Sequence, residues 1–335
     1  MRGSCLMGIA VLLGLGACGG EVALDGSPDA GFGTSIPLVS EATNVAVGAA
    51  SGTPTLIGRI THPENIVVDA NNAYVATYDG PVYRIALDGS SATELDSVAS
   101  LSVAIDATRV YTSSYDASGL VVACAKTGCG ENYTTLASGQ ISPFGIAVDD
   151  TNIYWTNDDS SSGVMKVPLT GGTPTALVQD ISADSMVLAG GVVFFAGSPP
   201  NQCCSALMSV PVAGGPTSTI FVPADPAISI FAMTADAQYV YFAVEDGSIW
   251  KVPIAGGQPV ELATGLGSGA GLDQIAVDDS NLYYSASDGI YALPILGGAP
   301  TRLFAVQDCQ GLAADAHFIY WTELLDGAVM KAAKK

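Results

Sequence analysis

Glu64, Asp184 and Asp273 are the acids of this 335-residue chain best placed to do chemistry. Each opens an apolar stretch at the same register, with Gln274 and Gln310 beside them and Phe144 and Phe231 at equivalent positions. Carboxylates in that setting can hold a hard cation such as Ca²⁺, receive a basic group, or share acid–base work with a histidine. His62 is the histidine that could join them, because His317 falls in a turn on the opposite side of its repeat. No Gly-x-Ser-x-Gly, His-Glu-x-x-His, phosphate loop, EF-hand loop or zinc spacing occurs. The run Asn157-Asp158-Asp159 lacks the alternation and glycine of a calcium loop. Binding is therefore the first reading. A lyase- or lactonase-type enzyme using these carboxylates, with or without a divalent metal, is the alternative.

Six other aspartates recur too regularly for catalysis: Asp69, Asp106, Asp149, Asp236, Asp278 and Asp315. Each ends an apolar run and precedes an aromatic one, as in IAVDDTNIYWTN (146–157) and LAADAHFIYWTE (312–323). A carboxylate at that point accepts backbone N–H bonds in the turn that follows. The tyrosines and tryptophans behind it are expected in packing.

The aspartates are separated by 37, 43, 87, 42 and 37 residues, and a degenerate copy without Asp, MVLAGGVVFFAG (186–197), fills the double interval. A period near 40 with four short strands per unit predicts an all-β propeller of four-stranded antiparallel blades over 51–335. Third strands end at Val167-Pro168, Val210-Pro211, Val252-Pro253 and Leu293-Pro294, followed by Gly171-Gly172, Gly214-Gly215, Gly256-Gly257 and Gly297-Gly298. Those pairs are expected at the centre of tight hairpins, where both residues take positive φ. The last repeat lacks a fourth strand, and GTPTLI (52–57) matches GTPTAL (172–177). An N-terminal strand at about 52–58 is thus expected to complete the last blade, giving seven blades and no orphan edge. Tyr154-Trp155-Thr156-Asn157 and Tyr320-Trp321-Thr322-Glu323 resemble the YWTD repeats of receptor β-propellers, and NHL-type repeats more distantly. That resemblance implies a fold and no activity.

The N-terminus reads as an address. Met1-Arg2 and the apolar run Leu6–Leu15 form a signal peptide over 1–17, too short to span a bilayer. Leu15-Gly16-Ala17-Cys18-Gly19 resembles a bacterial lipobox, which implies lipidation of Cys18. Multiple acyl chains anchor stably. Gly19, where an Asp would retain such proteins at the inner membrane, makes the outer membrane of the bacterial cell envelope the expected residence. Residues 18–50 are Gly-, Ala-, Ser- and Asp-rich without periodicity, as suits a flexible tether.

Five cysteines remain after Cys5 and Cys18. Cys124 and Cys129 bracket a turn and are expected to form a hairpin disulfide in an oxidising compartment, a metal pair being the minor alternative. For Cys203, Cys204 and Cys309 a bridge, a vicinal ring and free thiols all stay open.

The balance of 11 Lys+Arg against 32 Asp+Glu, net −21, excludes nucleic acid and leaves the N-terminal lipid as the only expected membrane contact. In a propeller, the blade-to-blade connections and the loops between second and third strands share one face. That connection face collects Asp79, Asp158, Asp159, Glu245, Asp288 and Asp326, with only Arg59 and His62 as basic groups in the same segments. The expected partners are an envelope protein, a peptide or a small cationic ligand, bound by a monomer.

Overall fold

The computed structural model describes residues 52–334, apart from 115–117, 160, 199–204, 226–227 and 267–271. The signal peptide, Cys18, the tether, Cys203 and Cys204 lie outside the described residues. The described strands form seven four-stranded antiparallel sheets. Their first strands are Pro63–Val68, Ser102–Ile105, Pro143–Val148, Ser182–Ala189, Ile230–Ala235, Leu272–Val277 and Cys309–Ala314. Each touches the first strand of the next blade, and blade 7 touches blade 1, so these strands surround the axis of a closed seven-bladed propeller.

Closure follows the predicted route. Thr55–Arg59 pairs antiparallel with Ala328–Ala333, Thr55 opposite Lys331 and Arg59 opposite Ala328. Gly52 extends the ladder with a 3.0 Å bond from its N–H to the Ala333 carbonyl. Ile57 is buried with Ile85, Tyr320 and Val329, so the closing strand carries core as well as hydrogen bonds.

The recurring aspartates hold the first turn of six blades. In each, Oδ1 accepts the N–H groups two and three residues on, at 2.6–3.0 Å. Oδ2 accepts the hydroxyl of the tyrosine five residues on, in the pairs Asp69–Tyr74, Asp106–Tyr111, Asp149–Tyr154, Asp236–Tyr241, Asp278–Tyr283 and Asp315–Tyr320, at 2.6–2.9 Å. Burial works against the charged form, yet in Asp106, Asp149, Asp278 and Asp315 the bonds outweigh it, and with Lys126 added Asp69 is held down to about 2. The tyrosines are buried in the packing between blades and their phenols are pushed up by that burial and the adjoining carboxylate. Blade 4 dispenses with the pair: Gly190 and Gly191 take φ of 56° and 74°, and Phe194 stands where the tyrosine would be. Two glycines turn the chain without a carboxylate to organise it. Tyr154→Phe is expected to cost about 1 kcal/mol and Asp149→Ala about 2–3 kcal/mol, with strong coupling between them, in a urea double-mutant cycle.

The paired glycines after the third strands behave differently from expectation. Gly171 N–H closes a turn on the Pro168 carbonyl at 2.8 Å, and Gly214, Gly256 and Gly297 do the same on Pro211, Pro253 and Pro294. The centre of each turn is therefore the dipeptide before the glycines, such as Leu169-Thr170, and the glycines lead into the fourth strand. Their φ values of 81° to 94° and 137° to 148° still demand glycine. Blade 2 replaces this turn with one closed by a Cys124–Cys129 disulfide, Cα–Cα 5.7 Å. Cys129 and Gly130 dock it on the Leu95 carbonyl of blade 1.

Most cationic side chains are spent between blades. Arg84, Lys166, Lys251 and Lys331 occupy one third-strand position in blades 1, 3, 5 and 7, and each donates to a turn carbonyl of the following blade: Lys126, Val212, Ile295 and Leu87. Ala123, Ser209 and Ala292 hold that position in blades 2, 4 and 6. Two further lysines reach backwards: Lys126 to Asp69 at 2.8 Å and Lys334 to Asp278 at 2.6 Å, each over a tyrosine ring. Six of the nine described Lys and Arg residues thus join blades, all at the turn face opposite the connections.

Candidate functional site

The site follows from an irregularity shared by six first strands. Where each enters its sheet at the connection face, two of its residues stand opposite one residue of the second strand, a β-bulge. The first bulged residues are Glu64, Phe144, Asp184, Phe231, Asp273 and Gln310. A bulge leaves its extra residue out of the ladder and re-aims its side chain, and these six residues occupy one register at the entrances of their first strands. Gln274 is the second bulged residue of blade 6, and its N–H is bonded to Ser285 Oγ at 3.0 Å. Blade 2 has no bulge at the paired residues of its first strand.

Hydroxyls opposite the bulges stitch neighbouring blades. Thr156 Oγ1 accepts from Gly145 N–H and donates to the Asp184 carbonyl of blade 4, and Thr322 donates to the Glu64 carbonyl of blade 1 at 2.8 Å. The fit leaves no room for a side chain at two bulges. A Cβ on Gly311 would stand 2.3 Å from the Glu64 carbonyl oxygen, and one on Gly145 2.9 Å from that of Asp184.

The bulge carboxylates are held close to neutrality. Burial, eased by the charge of His62, pushes Glu64 up to about 7, and burial pushes Asp273 up to about 6. Burial raises Asp184 too, reinforced by the charge of Asp158 and a hydrogen bond shared with it. Asp158 also accepts from Ser182 Oγ at 2.7 Å. This carboxyl pair joins the second–third loop of blade 3 to the bulge of blade 4. The carboxylates do not converge on one point: among the described residues, no three His, Cys, Asp or Glu side chains lie close enough to hold a metal ion.

The predicted grouping of loops is observed. Tyr78, Asp158, Glu245 and Leu324, in second–third loops, donate their N–H groups to His62, Ser142, Ser229 and Asp308, in connections. His62 is exposed, with φ 44°, and pairs with Asp79 at 2.9 Å. Arg59 donates to the Asp326 carbonyl at 2.8 Å, and Arg302, from a fourth strand, reaches the Asp288 carbonyl. His317 sits in the Asp315 turn of the opposite face. Cys309 opens the first strand of blade 7 as a buried free thiol.

No protein-family model and no curated protein matches the chain. Among solved structures, the WD40 β-propeller domain of Doa1 superposes with a TM-score of 0.67 at 12% identity, over 85% of this chain and 97% of that one. The Cps50 (Swd1) β-propeller domain of Myceliophteria thermophila gives 0.66 at 11% identity, over 84% and 100%. A chain of a nidogen/laminin complex gives 0.49 at 17%, over 64% and 85%. The chain is a seven-bladed β-propeller. At these identities the likenesses show the fold alone, and a fold names no activity.

Three features escaped sequence reasoning. Asp308 joins the acids of the connection face, and its carboxylate accepts the Leu325 N–H. Asp184 is paired with Asp158, which becomes visible only once the bulge is placed. Asp96, 3% exposed, accepts Val82 and Val98 N–H groups through Oδ1 while Oδ2 has no partner, and burial raises its pKa.

These acids set an expected pH profile. A carboxyl whose pKa is raised on folding binds its proton more tightly in the native state, so stability grows as pH falls through the folded value and levels off in the ordinary carboxylate range. Glu64, Asp273, Asp184 and Asp96 should therefore raise the urea midpoint between pH 8 and pH 5. Below about pH 4 Asp69, Asp106, Asp149, Asp278 and Asp315, held low in the native state, protonate and stability falls again. Glu64→Gln should stabilise at pH 8 by about 2 kcal/mol, solvent screening included, and not at pH 4.5. An equal effect at both pH values would show that the carboxyl is not the cause.

Proposed function

We propose that this chain is an exported, lipid-anchored propeller acting as a non-catalytic binding or assembly module at the bacterial cell envelope. Its connection face takes a cation or a basic partner. The observation that carries this reading is the placement of the cations, since both faces carry carboxylates. Six of nine described cations are tied between blades at the turn face, while Glu64, Asp158, Asp159, Asp184, Asp273 and Glu323 gather at the other. Apolar walls around like charges focus potential toward cations. The lipobox-like LGACG and the expected lipid at Cys18 supply the envelope address. Kinship with YWTD-type repeats is the finer family reading supported by the Asp-to-Tyr turns.

Calorimetric titration with Ca²⁺, spermine and a lysine-rich peptide tests the face. Heat from at least one at micromolar to millimolar concentration is expected, and silence from all three would overturn the reading. A catalytic alternative would draw on Glu64, a half-buried acid held near neutrality beside His62. The separation of the bulge carboxylates favours binding over it.

A further inference from the structure

The seam between blades 7 and 1 differs from the rest of the connection face. A shallow groove there is lined by Ile60, Thr61, His62, Leu324 and Leu325, with Arg59 and Asp326 at one end. Two large apolar side chains stand at its edges largely in water, Leu325 at 84% and Tyr78 at 54% exposure. Tyr78 is fixed there by the bond from its N–H to the His62 carbonyl. Asp326 lines the groove, and four more carboxylates lie beside its lining: Asp79 paired with His62, Glu64 within reach of the His62 charge, Asp308 accepting the Leu325 N–H, and Glu323 near Asp308 and Asp326. The cations among them are Arg59, engaged with a carbonyl, and His62, engaged with Asp79. Glu323 accepts from the Trp321 indole at 2.8 Å, and burial together with the charges of Asp308 and Asp326 raises its pKa. Glu64 has no ion-pair or hydrogen-bond partner for its carboxylate among the described residues.

A metal ion would want these carboxylates convergent and the apolar rim absent. A polyamine would use the charge and leave Leu325 and Tyr78 in water. We infer that the seam groove is a docking site for a polypeptide segment bearing both basic and aliphatic side chains. The aliphatic groups cover Leu325 and Tyr78, and the basic heads reach Glu64 and Glu323. This rests on the reading of the connection face as the binding face and narrows its occupant. A snorkelling lysine or arginine, with an apolar stem and a charged tip, matches that sequence of surfaces.

The test uses two synthetic peptides of equal length and charge, one alternating lysine with leucine and the other lysine with serine. They are titrated into the full chain at pH 8 and low salt. The lysine–leucine peptide is expected to bind about tenfold more tightly. The double variant Leu325→Ser/Tyr78→Ser, altering only exposed side chains, should bring it down to the lysine–serine level without changing the thermal midpoint. Leu296→Ser, an exposed side chain in a turn of the opposite face, should leave it unchanged. Equal binding of the two peptides, or a loss on Leu296→Ser in place of the rim variant, would overturn the groove while leaving an acidic binding face intact. No binding of either peptide, with Ca²⁺ and spermine also silent, would remove the face itself.

Discussion

A chain starting at Ile60 is expected to lose about 5 kcal/mol of stability, and adding a peptide of residues 51–61 should restore most of it. The strand Thr55–Arg59 supplies the fourth strand of blade 7 through antiparallel pairing with Ala328–Ala333. Its loss uncovers Val329 and Ile85, removes buried Ile57, and frees the ladder groups of the last strand. It also leaves an unpaired edge able to join another chain. Urea unfolding of the shortened chain should show an earlier midpoint and, at higher concentration, self-association. Rescue by the peptide distinguishes loss of a strand from general misfolding, because binding to the native state stabilises by mass action. An unchanged midpoint would mean that blade 7 is sufficient with three strands.

Gly311→Ala should cost about 3 kcal/mol, unusually much for one methyl group at a first-strand entrance. The added carbon would sit 2.3 Å from the Glu64 carbonyl oxygen and 3.0 Å from Ile66 Cγ2 and N, so backbone on the far side of the seam must move. Moving it breaks the bond from Thr322 Oγ1 to that same carbonyl. Blade 5 carries Ala232 at the corresponding bulge position, so the cost belongs to the blade 7–1 seam and not to the bulge. Differential scanning calorimetry of Gly311→Ala against Thr322→Val should show the glycine variant less stable. A wild-type midpoint for Gly311→Ala would show that the seam yields freely.

The architecture was legible because its signals are local and repeated. An apolar strand, an aspartate and a tyrosine five residues on describe one turn completely, and six copies set the period. The closing strand was legible because Thr53–Ile57 copies the fourth strand of an interior blade. The common register of Glu64, Phe144, Asp184, Phe231, Asp273 and Gln310 was also legible, since each lies five residues before the end of its apolar run, marked by Asp in five blades and by Ala189 in blade 4. Other features depend on contacts between repeats. Arg84, Lys166, Lys251 and Lys331 look like surface cations in a strand, and only the neighbouring blade's carbonyl shows why they recur in alternate blades. Likewise Asp158 and Asp184 lie 26 residues apart, and their shared hydrogen bond follows from the bulge that turns one toward the other. The glycine pairs were misplaced by two residues because the Leu169-Thr170 type of turn carries no strong residue signal of its own.

The direction of the closing strand has a mechanical consequence. Its first residues lie beside Ala333 at the turn face, and its last lead into Ile60 at the connection face. A pull on residue 52 against a hold on the connection face would therefore load the strand along its own length. Under that shear the rungs between Thr55–Arg59 and Ala328–Lys331 share the force at once, where a pull across the strand would peel them singly. A propeller closed this way resists such a pull at the one joint where its circle is held without a covalent link.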